Sequence, residues 1–590
     1  MPTTSPSLTD LGRSLTGRRW SWRGGAVNEI VSGSDLVTQL LLARGVAPSD
    51  LARERTPSLR GFLPDPAIFQ DMETAAERLA QAILSREAVT IYGDYDVDGA
   101  TSAALLIRLL RMLGHNAGHY IPDRLLEGYG PSGDALLKIA EEGSSLIVTV
   151  DCGAMAHEAL GAAHDAGIDV IVVDHHKCSP ELPKAVAMVN PNRLDEREDA
   201  AAHGHLAAVG VAFLLAVATV RTLRKQGYFD EREEPDLLSL LDIVALGTVA
   251  DVAALRGLNR AFVAQGLKVM RRRENTGLAA LLDASRLQRA PVCSDLGFAL
   301  GPRINAGGRV GEATLGVRLL TTEDTAEAAD IARRLSELND DRRQIESEVQ
   351  EEAEAQLAGQ GNRAVQLLHG AGWHQGVIGI VAGRIKEKTG RPALVIARGA
   401  NAEPSKGSGR SIAGVDLGAA IIAAREAGLL LAGGGHAMAA GLTVDHDKID
   451  ALAEFLDDRL AKDVAAAQEN QEFKLDLMLA PGGLTPDLVD AMEEAGPYGM
   501  GWPGPRVAVG PVHAIKCDVV GTNHVRMIVR GEDGARFKAI AFRAAESEMG
   551  QALLQNRGSR RFWLAGRPKV DDWSGRREAE LIVDDAVWAD

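Results

Sequence analysis

Aromatic side chains are scarce: 7 Trp, 6 Tyr and 11 Phe amount to 4% of the 590 residues, so the few rings able to stack on a ligand stand out one by one. Cysteine is nearly absent. Its four copies, Cys152, Cys178, Cys293 and Cys517, are scattered without a C-x-x-C pair, which excludes a disulfide framework and a structural zinc site and points to a reducing compartment, hence the cytoplasm. No apolar run approaches the roughly 20 residues that cross a bilayer; the stretch around Leu214 to Val220 is too short, and no membrane association is expected. The N-terminal segment, MPTTSPSLTDLGRSLTGRRW, lacks the apolar core of a secretory signal and reads as a flexible tail. Positive charge is in deficit, 64 Lys and Arg against 81 Asp and Glu for a net −17, which argues against a uniformly basic nucleic-acid-coating face. It leaves room for a local groove. Candidate contributors are Arg108 and Arg111, Arg271 to Arg273, Arg303 and Arg309, Arg333 and Arg334, and Arg557, Arg560 and Arg561.

The composition, 46% hydrophobic and 25% charged, is that of a globular protein. The length suggests about three to five domains. Residues 1–60 read as tail and helices, followed by the helical METAAERLAQAIL. Between 61 and 320, AVTIYGDYDVDGATSAALLIRLLRMLG, SSLIVTVDCGAMAHEALGAAHDAG and DVIVVDHHK alternate β-branched runs with helices, which predicts an α/β domain with a parallel sheet. Residues 321–358 contain no Gly or Pro and mix both charge signs densely, as a long exposed connecting helix would. A second α/β domain is expected over 359–465, with NRAVQLLHG and ALVIA as strands around a helical GVIGIVAGRIKEKTG. The last part, 471–590, carries short alternating strands (HVRMIVRG, RFKAIAFR, RRFWLAG, EAELIVDDA) suited to a small β-barrel.

Three successive predicted strands end in acids: Asp94, Asp96 and Asp98 in GDYDVDG, Asp151 in VDCG, and Asp174 followed by His175 and His176 in DHH. One Asp at a strand end is ordinarily a cap or turn residue. Three at neighbouring parallel strand ends converge on one crevice, where carboxylates repel one another unless cations neutralise them. Mixed Asp and His donors suit manganese or magnesium better than structural zinc. A pair of such ions activates water and stabilises the leaving oxygen in phosphoester hydrolysis. A calcium loop of the EF-hand type is disfavoured, because a strand precedes GDYDVDG and the Glu at its twelfth position is missing.

Downstream, GSGRSI and LAGGGHAMAAGL place Ser408, Arg410, Gly434, Gly435 and His436 on Gly-rich turns able to approach phosphate oxygens. GPRINAGGR places Arg303, Asn305 and Arg309 on a Gly-rich loop, either lining a cleft or solvated. In the terminal β region Trp563, Trp573, Phe542 and Phe562 are candidates for base stacking, weighed against ordinary core positions.

The segments GDYDVDGATS, VTVDCGA, IVVDHHK and ALGTVADVAAL resemble the four motifs of the DHH phosphoesterase superfamily. GPRINAGGRVGEA, GWHQGVIGIVAGRI, GSGRSI and GGGHAMAAGL resemble its associated C-terminal domain in the form found in RecJ-type single-stranded-DNA-specific exonucleases. The resemblance covers residue 60 to the end, and the terminal β domain resembles an OB-fold. It implies that Asp96, Asp98, Asp151, His175 and Asp251 ligate metal, with Asp151 as bridge and Asp94, Asp174 and His176 close seconds. Asp174 or His176 is then free to orient His175 through a hydrogen bond. Where shorter DHH phosphatases carry a His four residues before the acid matching Asp96, this chain has Tyr92, so the full ligand set of one ion stays open. The implied activity is 5′-to-3′ digestion of single-stranded DNA to mononucleotides in recombination and repair, with Asp98, Asp151, His175, His176 and His436 catalytic and two Mn2+ or Mg2+ ions as cofactors. Implied partners are a strand with a free 5′ end, a RecQ-type helicase and a single-strand-binding protein. Two other readings are a phosphodiesterase of short oligoribonucleotides or cyclic dinucleotides, which the extra domain and long connector disfavour, and a silent single-strand-binding scaffold, which the complete acid set disfavours.

Overall fold

The computed structural model describes residues 12–23, 35–124, 126–400, 403–556, 558–571 and 576–589. Trp573 and Arg557 lie outside them. The chain folds as two compact units: Pro57–Ala461 with Gly499–Trp502, and Met1–Thr56 with Lys462–Tyr498 and Pro503–Asp590.

In the first unit five parallel strands lie in the order 117–120, 89–93, 146–150, 169–173, 187–189. Val89–Gly93 and Leu146–Val150 are buried along their whole length, as β-branched runs covered by helices on both faces must be. The chain leaves Val89–Gly93 first toward one edge and then returns on its other side, so a topological switch point falls between Val89–Gly93 and Leu146–Val150. The crossover helix Val97–Met112 and the helix Ala208–Lys225, which follows the last strand, are buried almost all round and form the core.

Thr325–Leu357 is a single helix of 33 residues, capped by Asp324, whose side chain accepts from Ala326 N and Glu327 N. It is not exposed all round. Ala328, Ile331, Leu335, Leu338, Arg342, Glu346, Val349 and Ala353 form a buried stripe at helical spacing. Val349 and Ala353 pack with Trp373, Val377 and Val381 of the second α/β domain, so the high charge of this segment is confined to its outer face.

That second domain holds a mixed sheet in the order 432–436, 439–444, 405–410, 393–398, 366–371. Two expectations are corrected. GSGRSI and LAGGGHAMAAGL were expected as turns, but Ser405–Arg410, Ala432–His436 and Ala439–Val444 are paired antiparallel strands. GPRINAGGR was expected as a loop, but Gly301–Val310 is a helix begun by Pro302 in its first turn. Its glycines serve close packing: a Cβ at Gly308 would lie 2.4 Å from Tyr95 O.

In the second unit Val507–Val520, His524–Gly531, Arg536–Ala541, Glu578–Trp588 and Phe562–Asp571 follow one another around a barrel that Val507–Val520 and Phe562–Asp571 close. The described part of the expected tail is corrected as well: Arg19–Trp22 is a strand parallel to Glu472–Leu475. Trp20 is buried with Phe473, Leu475 and Trp563, and that apolar contact is why the segment is ordered. Phe562 and Trp563 belong to the barrel core, which removes them as stacking candidates; Phe542 is half exposed. Among the described residues no helix is long and apolar enough to cross a membrane.

Candidate active site

Parallel register aligns the acids. Gly93, Val150 and Val173 are cross-strand neighbours, so the next residues, Asp94, Asp151 and Asp174, leave three adjacent strands at the same height. Their amides continue the ladder, Asp94 N to Val150 O at 3.3 Å, Asp151 N to Val173 O at 3.0 Å and Asp174 N to Val189 O at 3.1 Å. Asp151 has φ +61°, a left-handed conformation that an Asp tolerates better than most residues. The side chains collect at the switch point.

Asp96 caps the helix Val97–Met112, its Oδ1 accepting from Asp98 N at 2.8 Å and Gly99 N at 3.2 Å. Asp98 is buried and accepts from Ala208 N at 2.7 Å and Val209 N at 3.0 Å. Asp251 ends the helix Leu241–Ala250 and stands 3.9 Å from His175 Nδ1. Asp94, Asp96 and Asp151 have donor oxygens within 4.8 Å of one another, as do the donor atoms of Asp98, His175 and Asp251, and those of Asp151, His175 and His176. Burial, then the Asp96 charge, pushes Asp94 and Asp98 above the usual carboxylate range. Burial, then Asp98, does the same to Asp151 and Asp251.

His175 is oriented by a backbone group. Its Nδ1 lies 3.0 Å from Leu206 O, which fixes the tautomer and leaves Nε2 as the free donor atom. Nε2 stands 3.2 Å from Asp151 Oδ1 and 3.9 Å from Asp98 Oδ2. Asp174 or His176 was the alternative expected to orient the His175 ring; their side chains pair with each other, and Asp174 reaches His175 only at its backbone amide. Asp174 Oδ1 accepts from His175 N, His176 N and, at 2.7 Å, His176 Nδ1, while Oδ2 accepts from Ala154 N. Although burial opposes it, the His176 hydrogen bond and charge hold Asp174 down at about 2. Burial is outweighed in the same way at His176, which Asp174 keeps above its ordinary value.

These residues fit divalent cations. His175 Nε2 and Asp94 Oδ1 are buried and make no hydrogen bond, and the raised carboxylates mark a shortage of positive charge. The donors are oxygen and imidazole without thiolate, the set preferred by manganese and magnesium over structural zinc. Tyr92 points away, its hydroxyl donating to Gly130 O, and Asp94 stands in the cluster instead.

The sequence motifs did not reveal the braces. Tyr129 places its hydroxyl 3.1 Å from both Asp151 O and His176 Nδ1. Asn190 and Asn192 donate to His176 O and His175 O at 2.8 and 2.6 Å. Their only signal is VNPN after a short strand, a fourth polar strand end in the same row.

Of the residues read as phosphate contacts, Arg410 Nη1 donates to Ser408 Oγ at 3.1 Å. In register, Arg410, Ala439 and His436 form one cross-strand row and Ser408, Gly441 and Gly434 the next, so Ser408, Arg410 and His436 share a face. A Cβ at Gly434 or Gly441 would meet nothing within 4 Å, so that row is an open floor of backbone. Gly435, at φ +152°, would drive a Cβ to 2.3 Å from Ala439 O. His436 lines a cavity of about 450 Å3 with Tyr129, Gly153, Asp174, His176 and Lys177. Arg309 donates to Gly376 O at 2.9 Å, and burial, then Arg124 and Arg342, pushes it down to about 10. Asn305 is half-buried on the same helix. Arg303 is corrected: it donates to Ala299 O at 2.7 Å and Ser336 Oγ at 3.2 Å, facing the long helix and not the acids. Arg108 and Arg111 likewise serve the fold, bonding Leu320 O and Thr321 O.

Comparison with known proteins agrees with this geometry. Residues 88–248 match the family model "DHH family, N-terminal domain", 360–462 the "DHHA1 domain" and 475–585 the "RecJ OB domain". The chain is 39% identical to the single-stranded-DNA-specific exonuclease RecJ of Dickeya dadantii, over 93% of this chain and 95% of that one. It is 36% identical to RecJ of Escherichia coli, over 94% and 96%. The crystal structure of Thermus thermophilus RecJ in complex with Mn2+ superposes with a TM-score of 0.76 at 29% identity, covering 93% of this chain and 75% of that one. The chain belongs to the RecJ family of single-stranded-DNA-specific exonucleases, within the DHH phosphoesterases.

Proposed function

We propose that this protein hydrolyses single-stranded DNA from a free 5′ end, releasing mononucleotides with the help of two Mn2+ or Mg2+ ions, in recombination and repair. The observation that carries the reading is the register-matched set of buried, charge-deficient acids at the switch point, in the same compact unit as Ser408, Arg410 and His436. Asp94, Asp96 and Asp151 would hold one ion, and Asp98, His175 and Asp251, with Asp151 beside them, the other. Bound there, the ions supply water activation and neutralise charge on the phosphate.

The remaining work falls to the chain itself. Asp174 and Tyr129 keep His176 fixed, and Asp174 favours its charged form, on one wall of the cavity that His436 also lines. Both imidazoles are placed to donate to phosphate oxygens as charge develops. Asp98, Asp151 and His175 would hold the ions beside the reacting phosphate. Ser408 and Arg410 hold a terminal 5′ phosphate, Arg309 adds positive charge beside them, and the open row at Gly434, next to Gly435, admits a sugar–phosphate backbone. Holding that end places the next phosphodiester for cleavage, so digestion starts at an end.

Arg410→Ala is expected to raise KM for 5′-phosphorylated strands and to erase their advantage over 5′-hydroxyl strands, since a charge-assisted contact contributes about 1.5–3 kcal/mol. The test is manganese-dependent digestion of labelled linear strands against circular strands, duplexes and dinucleotides. Circular strands cut as fast as linear ones would refute end recognition. A cytoplasmic location and supply of substrate by a RecQ-type helicase and a single-strand-binding protein belong to the same reading; co-purification under physiological salt tests the partners.

A further inference from the structure

The chain carries net charge −17, yet guanidinium groups crowd together along one path. Arg410 is depressed by burial and then by the charge of Arg124, and Arg309 by burial, Arg124, Arg342 and Arg410. Beyond the acids the series continues: Arg342 interacts with Arg343 and Arg384, and Arg303 with Arg343. Glu346 is its main internal counter-charge, one carboxylate shared between Arg342 and Arg384. Arg343 meets Asp340 at 3.8 Å with both side chains mostly exposed. Like charges accumulated in an acidic protein are the electrostatic footprint of a polyanion.

The far end of this path is a cavity of about 570 Å3 lined by Phe298, Pro302, Arg342, Arg343, Glu346 and Arg384, among others. Phe298 is 81% exposed, a large ring turned to solvent in a protein with few rings. It stands in a π-helical turn, Leu296–Leu300, a distortion frequent at functional sites. Arg303 Nη1 donates to Ala299 O within that turn. The turn packs on the helix that ends at Asp251, with a Cβ at Gly301 falling 3.1 Å from Ala250 Cβ. An aromatic face beside guanidinium groups is the pairing used to hold a nucleotide without sequence preference, the ring under the base and the cations on the phosphate.

We infer that the cavity bounded by Phe298, Arg343 and Arg384 binds one nucleotide of a single DNA strand outside the catalytic cleft. The inference rests on the proposed function for the identity of the polyanion. Phe298 stacks on the base, and Arg343 and Arg384 contact the adjoining phosphate, anchoring long strands while leaving short ones indifferent.

The test uses the full chain with Phe298→Ala, Arg343→Ala and Arg343→Lys. Affinity for a long labelled thymidine homopolymer is read by fluorescence anisotropy in EDTA, and kcat/KM for a thymidine trinucleotide in manganese. Each alanine variant is expected to bind the homopolymer roughly five- to tenfold more weakly, with trinucleotide hydrolysis unchanged. Arg343→Ala should flatten the salt dependence of binding and Arg343→Lys should restore it. A 5-bromodeoxyuridine-substituted strand should cross-link at Phe298. Unchanged homopolymer affinity overturns the inference, as does an equal loss on the trinucleotide. Free thymidine monophosphate saturating the cavity with no effect on strand binding also overturns it. If the wild type in manganese hydrolyses neither the trinucleotide nor, in a parallel assay, the homopolymer while the binding differences persist, the proposed function falls and the nucleotide site stands.

Discussion

Asp151 concentrates the chemistry of the site in one residue: its carboxylate belongs to two of the three donor groups, and its backbone sits at φ +61°. Asn tolerates that conformation and Ala does not, so Asp151→Asn is the informative substitution. It should lower kcat at least about a thousandfold in saturating manganese. The melting temperature without metal should hold or rise, since one of several mutually repelling carboxylates is gone. Near-normal turnover would take Asp151 out of the metal site. A second buried acid, Asp242, lies away from the donor cluster. Burial, partly offset by the Ile243 amide and Arg108, pushes it up to about 6. A carboxyl with a raised folded-state value releases its proton first in the unfolded chain, so its contribution to stability falls as pH rises from about 4 to about 6 and is constant above. The loss is on the order of 1–3 kcal/mol. In urea unfolding at pH 4.5 and 7, Asp242→Asn should lose less stability over this interval than the wild type; parallel profiles would show that the carboxyl is not raised.

At the scale of elements, the first described strand is the informative one. Arg19–Trp22 docks beside Glu472–Leu475, and Trp20 Nε1 donates to the buried Asp585 at 3.1 Å. Trp20→Ala therefore removes a core ring and leaves a buried carboxylate short of a donor, a cost of about 3–5 kcal/mol. The lowest calorimetric transition should shift down while manganese-dependent trinucleotide hydrolysis at ambient temperature persists. A melt indistinguishable from the wild type would mean that the strand adds nothing to the barrel unit.

For the whole molecule, Gly499–Trp502 clusters with Pro57–Ala461 although the flanking sequence belongs to the other unit. Leu255 N donates to Met500 O at 2.8 Å, and the buried Arg260 guanidinium lies over the Trp502 ring at 4.7 Å. A chain cut near Asn470 would lose this segment and is a poor way to separate strand binding from catalysis. Trp502→Ala should destabilise the catalytic unit by about 2–4 kcal/mol without a direct effect on strand affinity. Calorimetry and anisotropy on one preparation check this, and an unchanged melt would show the segment to be dispensable.

The parallel sheet, the long helix and the terminal barrel were legible in the sequence because each rests on a local pattern: β-branched runs, an uninterrupted charged stretch, and alternation broken by turn residues. The acids at successive strand ends were legible for the same reason, since register carries local spacing directly into space. What depended on distant partners was not. The glycine motifs became strands by pairing with each other across about 30 residues, and GPRINAGGR a helix whose Gly308 lies too close to the Tyr95 carbonyl for a side chain. The Leu206 carbonyl behind His175, the Tyr129 hydroxyl on His176 and the turning of Arg303 toward Ser336 join residues 31 to 47 positions apart. The sequence by itself determined which chemistry the strand ends carry; tertiary structure alone decided which nitrogen of each histidine is free and which arginines face the acids, because hydrogen bonds across such separations leave no periodic trace along the chain.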